Sequence, residues 1–317
     1  MNVDYATRES LTIRQPATAH LMIDSDDRDF QSANLFTTSP WDFQLTRTQN
    51  LQVGFFTRVS ATELVLDWEI PNISPSWNNH VLIFDVSSND ISGAKSITLS
   101  EGFYTSKKAL DCVVEKMNTE VGSAVFSVIQ DCSGVGIDIS GAREFSVLGS
   151  LPLAGQLGFP IAGGGGNTYK KTFYLVPDLR TIKYIDFICD NLTYNQKVKD
   201  TNTTPITKNV LARYYFSWDD QNDLDAYGLP IYQSYTPFVS RKLFSPPKYI
   251  TFDPQIPVGN LKFEVWARFS PYFYATAPLL QGYAPLALVY PPSTLANLAT
   301  EVSDTSSWMM TLQLSEN

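Results

Sequence analysis

The feature that most constrains this chain is a period-two alternation that returns from one end to the other. In WDFQLTR, Trp41, Phe43 and Leu45 share one side while Asp42, Gln44 and Thr46 share the other. In TELVLDWEI, Leu64, Leu66, Trp68 and Ile70 face away from Glu63, Asp67 and Glu69. Successive side chains of a strand point to opposite faces, so such a pattern buries one face of a sheet and wets the other. Residues 19–23, 182–189, 210–218, 249–252 and 261–268 are further strand candidates, and WMMTLQL sets Trp308, Met310, Leu312 and Leu314 on one side. The run HVLIFDV (80–86) is apolar on both faces, as a strand in the middle of a sheet is. Breaks rich in Pro, Gly and Asn separate about eight or nine such segments. A β-domain of that length built from two antiparallel sheets is a sandwich, and eight strands make a jelly roll the leading arrangement. Periodicity does not give the strand order.

Between Ser100 and Tyr169 the pattern changes. Thr105 or Ser106 can cap a helix over TSKKALDCVVEKMNTEV, with Ala109, Leu110, Val113, Met117 and Val121 near one stripe and Gly122 as its stop. AVFSVIQ, the turn DCSG, GIDIS and EFSVLG then alternate briefly before LAGQLGF and the glycine-rich AGGGGN. The fold class is therefore mainly β: a single jelly-roll antiparallel sandwich with a small inserted α+β unit. It divides into an N-terminal arm (1–18), a first part of the jelly roll (19–100), the inserted subdomain (101–169), and a second part with the C-terminal segment (170–317).

Composition narrows the function. A net charge of −9 opposes the basic stripe that tracking a phosphate backbone requires, so direct sequence-specific nucleic-acid binding is not expected. Cys112, Cys132 and Cys189 are odd in number and widely spaced, which fits free thiols in a reducing compartment. The polar start, MNVDYATRESLTIRQP, lacks the apolar stretch of a secretion signal, so the sequons at Asn72, Asn191 and Asn202 carry no expectation of glycosylation. One long uncharged run, residues 269–300, holds Pro271, Pro278, Pro285, Pro291 and Pro292, which would break a spanning helix repeatedly. It reads as a long loop packed against the sheets or as a subunit contact surface.

The residues that could carry chemistry read mainly as structure. In HLMIDSDDRDF four carboxylates gather within six positions, but a calcium loop counted from Asp24 fails at Arg28, Asp29 and Leu35. A turn in which Arg28 pairs with Asp24 or Asp26 is the preferred reading. DDQNDLDAYG comes nearer, with Asp223, Asp225 and Gly228 in place, yet Tyr227 and Ser234 occupy ligand positions, so a solvated loop is preferred. Gly163–Gly166 lacks the Lys that follows directly in a phosphate loop. Only His20 and His80 exist; a three-His metal site is impossible, and both read as structural. No catalytic, cofactor or metal residues are assigned, and no cofactor or enzymatic activity is expected.

Several stretches together carry a resemblance. MIDSDDR precedes the alternating strand WDFQL; ITLSEGFYTSKKALDCVVEKMN joins a strand, a Gly-x-Tyr-Thr turn and a helix ending in Asn; LGF (157–159) closes the inserted unit; WMMTLQLSEN ends the chain. This resembles the penton and minor capsid proteins of virophages, polinton-like viruses and related large DNA viruses, over most of the chain and on short motifs. Phe103, between Gly102 and Tyr104, and the doubled acid Asp26–Asp27 depart from the pattern.

The resemblance implies a virion component: a single jelly roll forming homopentamers at the fivefold vertices of an icosahedral capsid, beside the major capsid protein and open to a host receptor. Assembly would take place inside the host cell, in its cytoplasm. A closed ring needs two different complementary patches on each subunit. The candidate patch is Tyr272, Phe273, Tyr274, Leu279, Leu280, Tyr283, Leu286 and Tyr290, and the candidate assembly arm carries Tyr5, Arg8, Leu11 and Arg14. Two alternatives stand beside it: a minor capsid or cement protein between or beneath capsomers, and a carbohydrate- or receptor-binding β-sandwich, because sandwich folds host all of these.

Overall fold

The computed structural model describes residues 18–27, 39–46, 58–87, 93–148, 152–160, 168–193, 210–216, 224–232, 235–251, 260–270, 282–289 and 306–315. Strands β1 (Thr18–Asp24), β2 (Asp42–Thr46) and β3 (Arg58–Trp68) open the chain. They are followed by β4 (Val81–Ser87), β5 (Lys95–Thr98), helix α1 (Ser106–Val121), β6 (Phe126–Asp131) and β7 (Gly134–Ile139). Next come β8 (Glu144–Val147), the short helix α2 (Pro152–Gln156), β9 (Thr172–Leu175), β10 (Ile182–Ile188) and the single turn α3 (Asp190–Thr193). The chain continues through β11 (Val210–Tyr215), β12 (Phe238–Leu243), β13 (Ile250–Thr251) and β14 (Asn260–Phe269). It closes with β15 (Tyr283–Pro285), the turn α4 (Leu286–Val289) and β16 (Ser307–Ser315).

Pairing supplies the order that periodicity could not. One sheet runs β1–β16–β3–β12 with β13 also on β3; its opposite runs β11–β10–β14 with β2 and β15 both on β14. Every pairing in them is antiparallel. Taking β1, β2, β3, β10, β11, β12, β14 and β16 as the eight long sandwich strands, one sheet holds the first, eighth, third and sixth. The other holds the second, seventh, fourth and fifth. Two interleaved Greek keys of this kind are a jelly roll. The alternation read from the sequence is the alternation of burial: β16 is half-buried and buried by turns along all nine residues.

Trp308 sits where the two sheets meet. Its ring lies 5.5 Å from Phe43, 4.9 Å from Phe187 and 5.6 Å from Phe263, all three on the facing sheet. Its indole N–H donates to the Pro40 carbonyl at 2.7 Å, satisfying the one polar atom the ring brings inside. Trp68 extends this aromatic core to Trp41 at 5.7 Å and Phe216 at 4.7 Å.

A second lobe grows between β3 and β10 and has its own core. Two three-stranded sheets, β5–β4–β8 and β6–β7–β9, enclose α1 and α2. Phe84, Phe126, Phe145 and Phe173 form an edge-to-face chain with centroids 4.9–5.7 Å apart. α1 lays Ala109, Leu110, Val113 and Met117 against it. Thr105 caps that helix by accepting from the Lys108 N–H, and Gly122 ends it in the left-handed conformation at φ +77°. Asn118 then ties the helix end to β6, accepting from the Val125 and Phe126 N–H groups.

The inserted lobe is larger than the sequence suggested. Leu82, Phe84, Val86, Ile97 and Leu99 belong to the second core, as do Phe173, Leu175 and Leu179. Cores therefore part near residues 70 and 181, whereas the sequence reading cut the chain at 101 and 169. The run 80–86 is a middle strand, as its apolar faces suggest, but of the lobe's β5–β4–β8 sheet rather than of the jelly roll, and only one of its faces is buried. From the connection between β11 and β12, Tyr227, Leu229, Ile231, Tyr232 and Tyr235 also pack on this lobe.

Register fixes where the lobe stands. β12 begins where β3 ends (Phe238 opposite Trp68), and β11 ends where β10 begins (Tyr215 opposite Tyr184). All four strands meet the lobe at one end of the sandwich. Thr18, Ser315 and Arg58 pair at the other end. The joint is braced by Asn72, whose side chain accepts from the Tyr104 N–H at 2.9 Å and donates to the Tyr104 carbonyl at 2.8 Å. Trp77 plugs the jelly-roll side, 5.8 Å from Phe269.

Candidate functional site

A buried carboxylate–guanidinium–phenol constellation lies on the outer face of the second sheet. β10 alternates, so Ile185 and Phe187 enter the core while Tyr184 and Asp186 face outward. Asp186 is fully buried there and stands opposite Arg213 on β11 and Trp266 on β14. The Arg213 guanidinium grips it with Nε at 2.6 Å from one oxygen and Nη2 at 2.8 Å from the other, and the Tyr283 hydroxyl donates at 2.7 Å. Arg213 also stacks over the Tyr184 ring at 4.0 Å. These hydrogen bonds to Asp186 hold the guanidinium pKa above its ordinary value. Burial, then the adjacent carboxylate, raises that of the Tyr283 phenol.

This arrangement is a satisfied ion pair rather than acid–base machinery. A bidentate fork saturates the carboxylate, and both histidines lie elsewhere: His20 on β1 and His80 just before β4. No group of three or more His, Cys, Asp or Glu able to hold a metal occurs among the described residues. Cys112 is half-buried, Cys132 exposed and Cys189 buried, all as free thiols. No described helix is long and apolar enough to cross a membrane.

Asp24 ends β1, and its carboxylate accepts from the Asp26 N–H at 2.9 Å, closing the turn at Ser25–Asp27. Buried Ser25 accepts from the Trp308 N–H at 2.9 Å, so the turn docks β1 on β16; Arg28 lies outside the described residues. Asp225 is no solvated loop residue. It accepts from the Lys107 N–H at 3.0 Å at the start of α1, and from the N–H groups of Tyr227 and Leu229, while Asp223 and the Gly163–Gly166 run lie outside the description. An acid at a helix N-terminus satisfies a free N–H there and matches the dipole.

Of the candidate contact patch, Tyr272, Phe273, Tyr274, Leu279, Leu280 and Tyr290 lie outside the described residues, as do Tyr5, Arg8, Leu11 and Arg14 of the arm. Two are corrected. Leu286 is fully buried in the jelly-roll core, and Tyr283 is half-buried with its hydroxyl spent on Asp186. Leu286 therefore offers no side chain to a neighbouring subunit, and Tyr283 offers only the exposed part of its ring. Conversely, the reading from sequence passed over Asp186 and Arg213, although each is a charge set in an otherwise apolar strand (YIDFI and VLARYYF) and that oddity was visible.

Strand order and register define this chain as a single jelly-roll protein with a lobe inserted between its third and fourth sandwich strands. Two solved structures are similar to it. The mavirus penton protein aligns over 96% of this chain and 100% of its own, at 10% identity and a TM-score of 0.48. The Sputnik virophage structure aligns over 95% of this chain and 98% of its own, at 11% identity and a TM-score of 0.43. No protein-family model matches the chain, and no curated protein does.

Proposed function

We propose that this protein is a structural component of a viral capsid, most specifically a penton that closes fivefold vertices as a homopentamer beside the major capsid protein. The observation that carries the reading is the coincidence of the capsid-like motifs with the joints of the jelly roll. MIDSDD (22–27) is the end of β1 and the turn that docks on β16 through Ser25. Gly102, Tyr104 and Thr105 make the joint between sandwich and lobe and then cap α1. LGF places Gly158 at φ +89° against the Val176 backbone. Jelly rolls of this order are common in capsid shells.

A ring of heterologous contacts needs an adhesive patch on each side. Among the described strands β12 pairs only with β3, and Val239 and Leu243 on its outer face are 70% and 62% exposed, on either side of the Arg241–Glu63 pair, an amphipathic face that a second copy would cover. The lobe and the paired ends of β1 and β16 lie at opposite ends of the sandwich, so the lobe would face outward and the termini the shell. Light scattering and native mass spectrometry test the assembly: five chains of 35.4 kDa give about 177 kDa. A stable trimer, or monomer throughout a concentration series with no vertex density in assembled particles, would favour a minor capsid position instead.

A further inference from the structure

A cleft of about 350 Å³ opens along the edge of β11, which pairs only with β10 among the described strands, at the end of the sandwich away from the inserted lobe. Its walls are apolar: Ala61 on β3, Leu211 and Ala212 on β11, and Phe244 and Pro246 from the segment that leaves β12. Small side chains on facing strands leave the space open, and the volume is that of a small-molecule site. Two cations stand at it, Arg213 and Lys248. Their roles differ. Arg213 is matched by Asp186, whereas Lys248 makes no ion pair with any described residue. Among the described residues, the neighbourhood of Asp186, Arg213 and Lys248 therefore carries one positive charge in excess. Partial burial, then the nearby Arg213 charge, lowers the Lys248 pKa, so its cationic form is held at a disadvantage that an anion would relieve.

We propose that this cleft binds a small monocarboxylate with an unbranched apolar body, its tail between Ala61 and Ala212 and its carboxylate on Lys248. The apolar walls select against hydrophilic anions, and the single surplus charge selects a monoanion over a phosphate ester.

Calorimetric titration of the full chain with decanoate, below its micelle concentration, tests this against decanol and acetate. Saturable one-to-one binding of decanoate is expected, with decanol and acetate each weaker by about tenfold or more, as loss of a charge-assisted hydrogen bond or of the apolar body predicts. Lys248→Met should weaken decanoate by about tenfold or more, while Lys95→Met, on the inserted lobe, should leave it unchanged. Ala61→Leu, which fills the cleft, should abolish binding with the near-UV dichroism of the fold retained. Should that variant misfold, the exposed Lys248 substitution decides alone. Absent or non-saturable decanoate binding, equal affinity for decanol, or indifference to Lys248→Met would overturn the proposal.

Discussion

Removing Arg213 should cost more than the loss of one surface ion pair, because it strands a charge that has no water to fall back on. Asp186 is fully buried and accepts three hydrogen bonds, two of them from Arg213. Arg213→Met keeps most of the stem packed and leaves the carboxylate with Tyr283 alone. Breaking a buried pair from one side costs about 3–5 kcal/mol. The Arg213 side chain is 33% exposed, which lets solvent soften the penalty, so the lower figure, about 3 kcal/mol, is expected. At roughly 2–4 °C per kcal/mol for a domain of this size, Tm falls by about 6–12 °C. Asp186→Leu with Arg213→Met removes both charges together and should recover most of the loss, since an apolar replacement of a buried pair is often neutral. Urea denaturation followed by near-UV dichroism measures all three proteins. A single variant within about 1 kcal/mol of the parent, or a double variant no better than the single, would refute the view that desolvation of Asp186 governs this site.

Gly158→Ala places a Cβ 2.6 Å from the Val176 backbone nitrogen at φ +89°, so it should destabilise by roughly 2–4 kcal/mol in thermal or urea unfolding. Burial pushes the Cys189 thiol up to about 12. A raised folded value gives stability that is complete below the ordinary thiol range and is lost as pH rises toward 12, so Cys189→Ala should flatten the alkaline fall in unfolding free energy above about pH 9 whatever it does to stability at neutral pH. Val239→Lys with Leu243→Glu should abolish assembly in light scattering while leaving the monomer's Tm within a degree or two, because neither side chain is buried in the subunit.

The strands were legible because one physical rule, alternation of burial, wrote them. β1, β3, β14 and β16 lie where the pattern put them, and α1 starts at Thr105 and stops at Gly122 as its caps require. What alternation cannot say is which core a face enters. Leu82, Phe84 and Val86 read as jelly-roll residues because an apolar stripe looks the same against either lobe, and the boundary near residue 70 depends on Trp77 and Ile73 turning to different cores. The Asp186–Arg213 pair is legible only as two misplaced charges; its meaning needs the register of β10 on β11. Leu286 failed as a contact residue for a related reason. An uncharged segment announces burial, not the surface that buries it.

Exposure on the inserted lobe gives the proposed orientation a direct chemical test. Cys132 sits in the tight turn between β6 and β7, where the Asp131 carboxylate accepts from the Ser133 N–H at 2.7 Å, and it is exposed. Cys112 is half-buried on α1 and Cys189 is buried at the end of β10. A membrane-impermeant maleimide applied to intact particles should therefore mark Cys132 alone if the lobe faces outward, and a Cys132→Ser variant should lose the label without losing incorporation. Thiolate, not thiol, reacts, and the buried Cys189 with its raised pKa is disfavoured twice. If Cys132 reacts in free subunits but is silent in intact particles, the lobe is covered by the shell. The end carrying Thr18 and Ser315 would then face outward, together with the cleft lined by Lys248, and any ligand of that cleft would come from outside the particle.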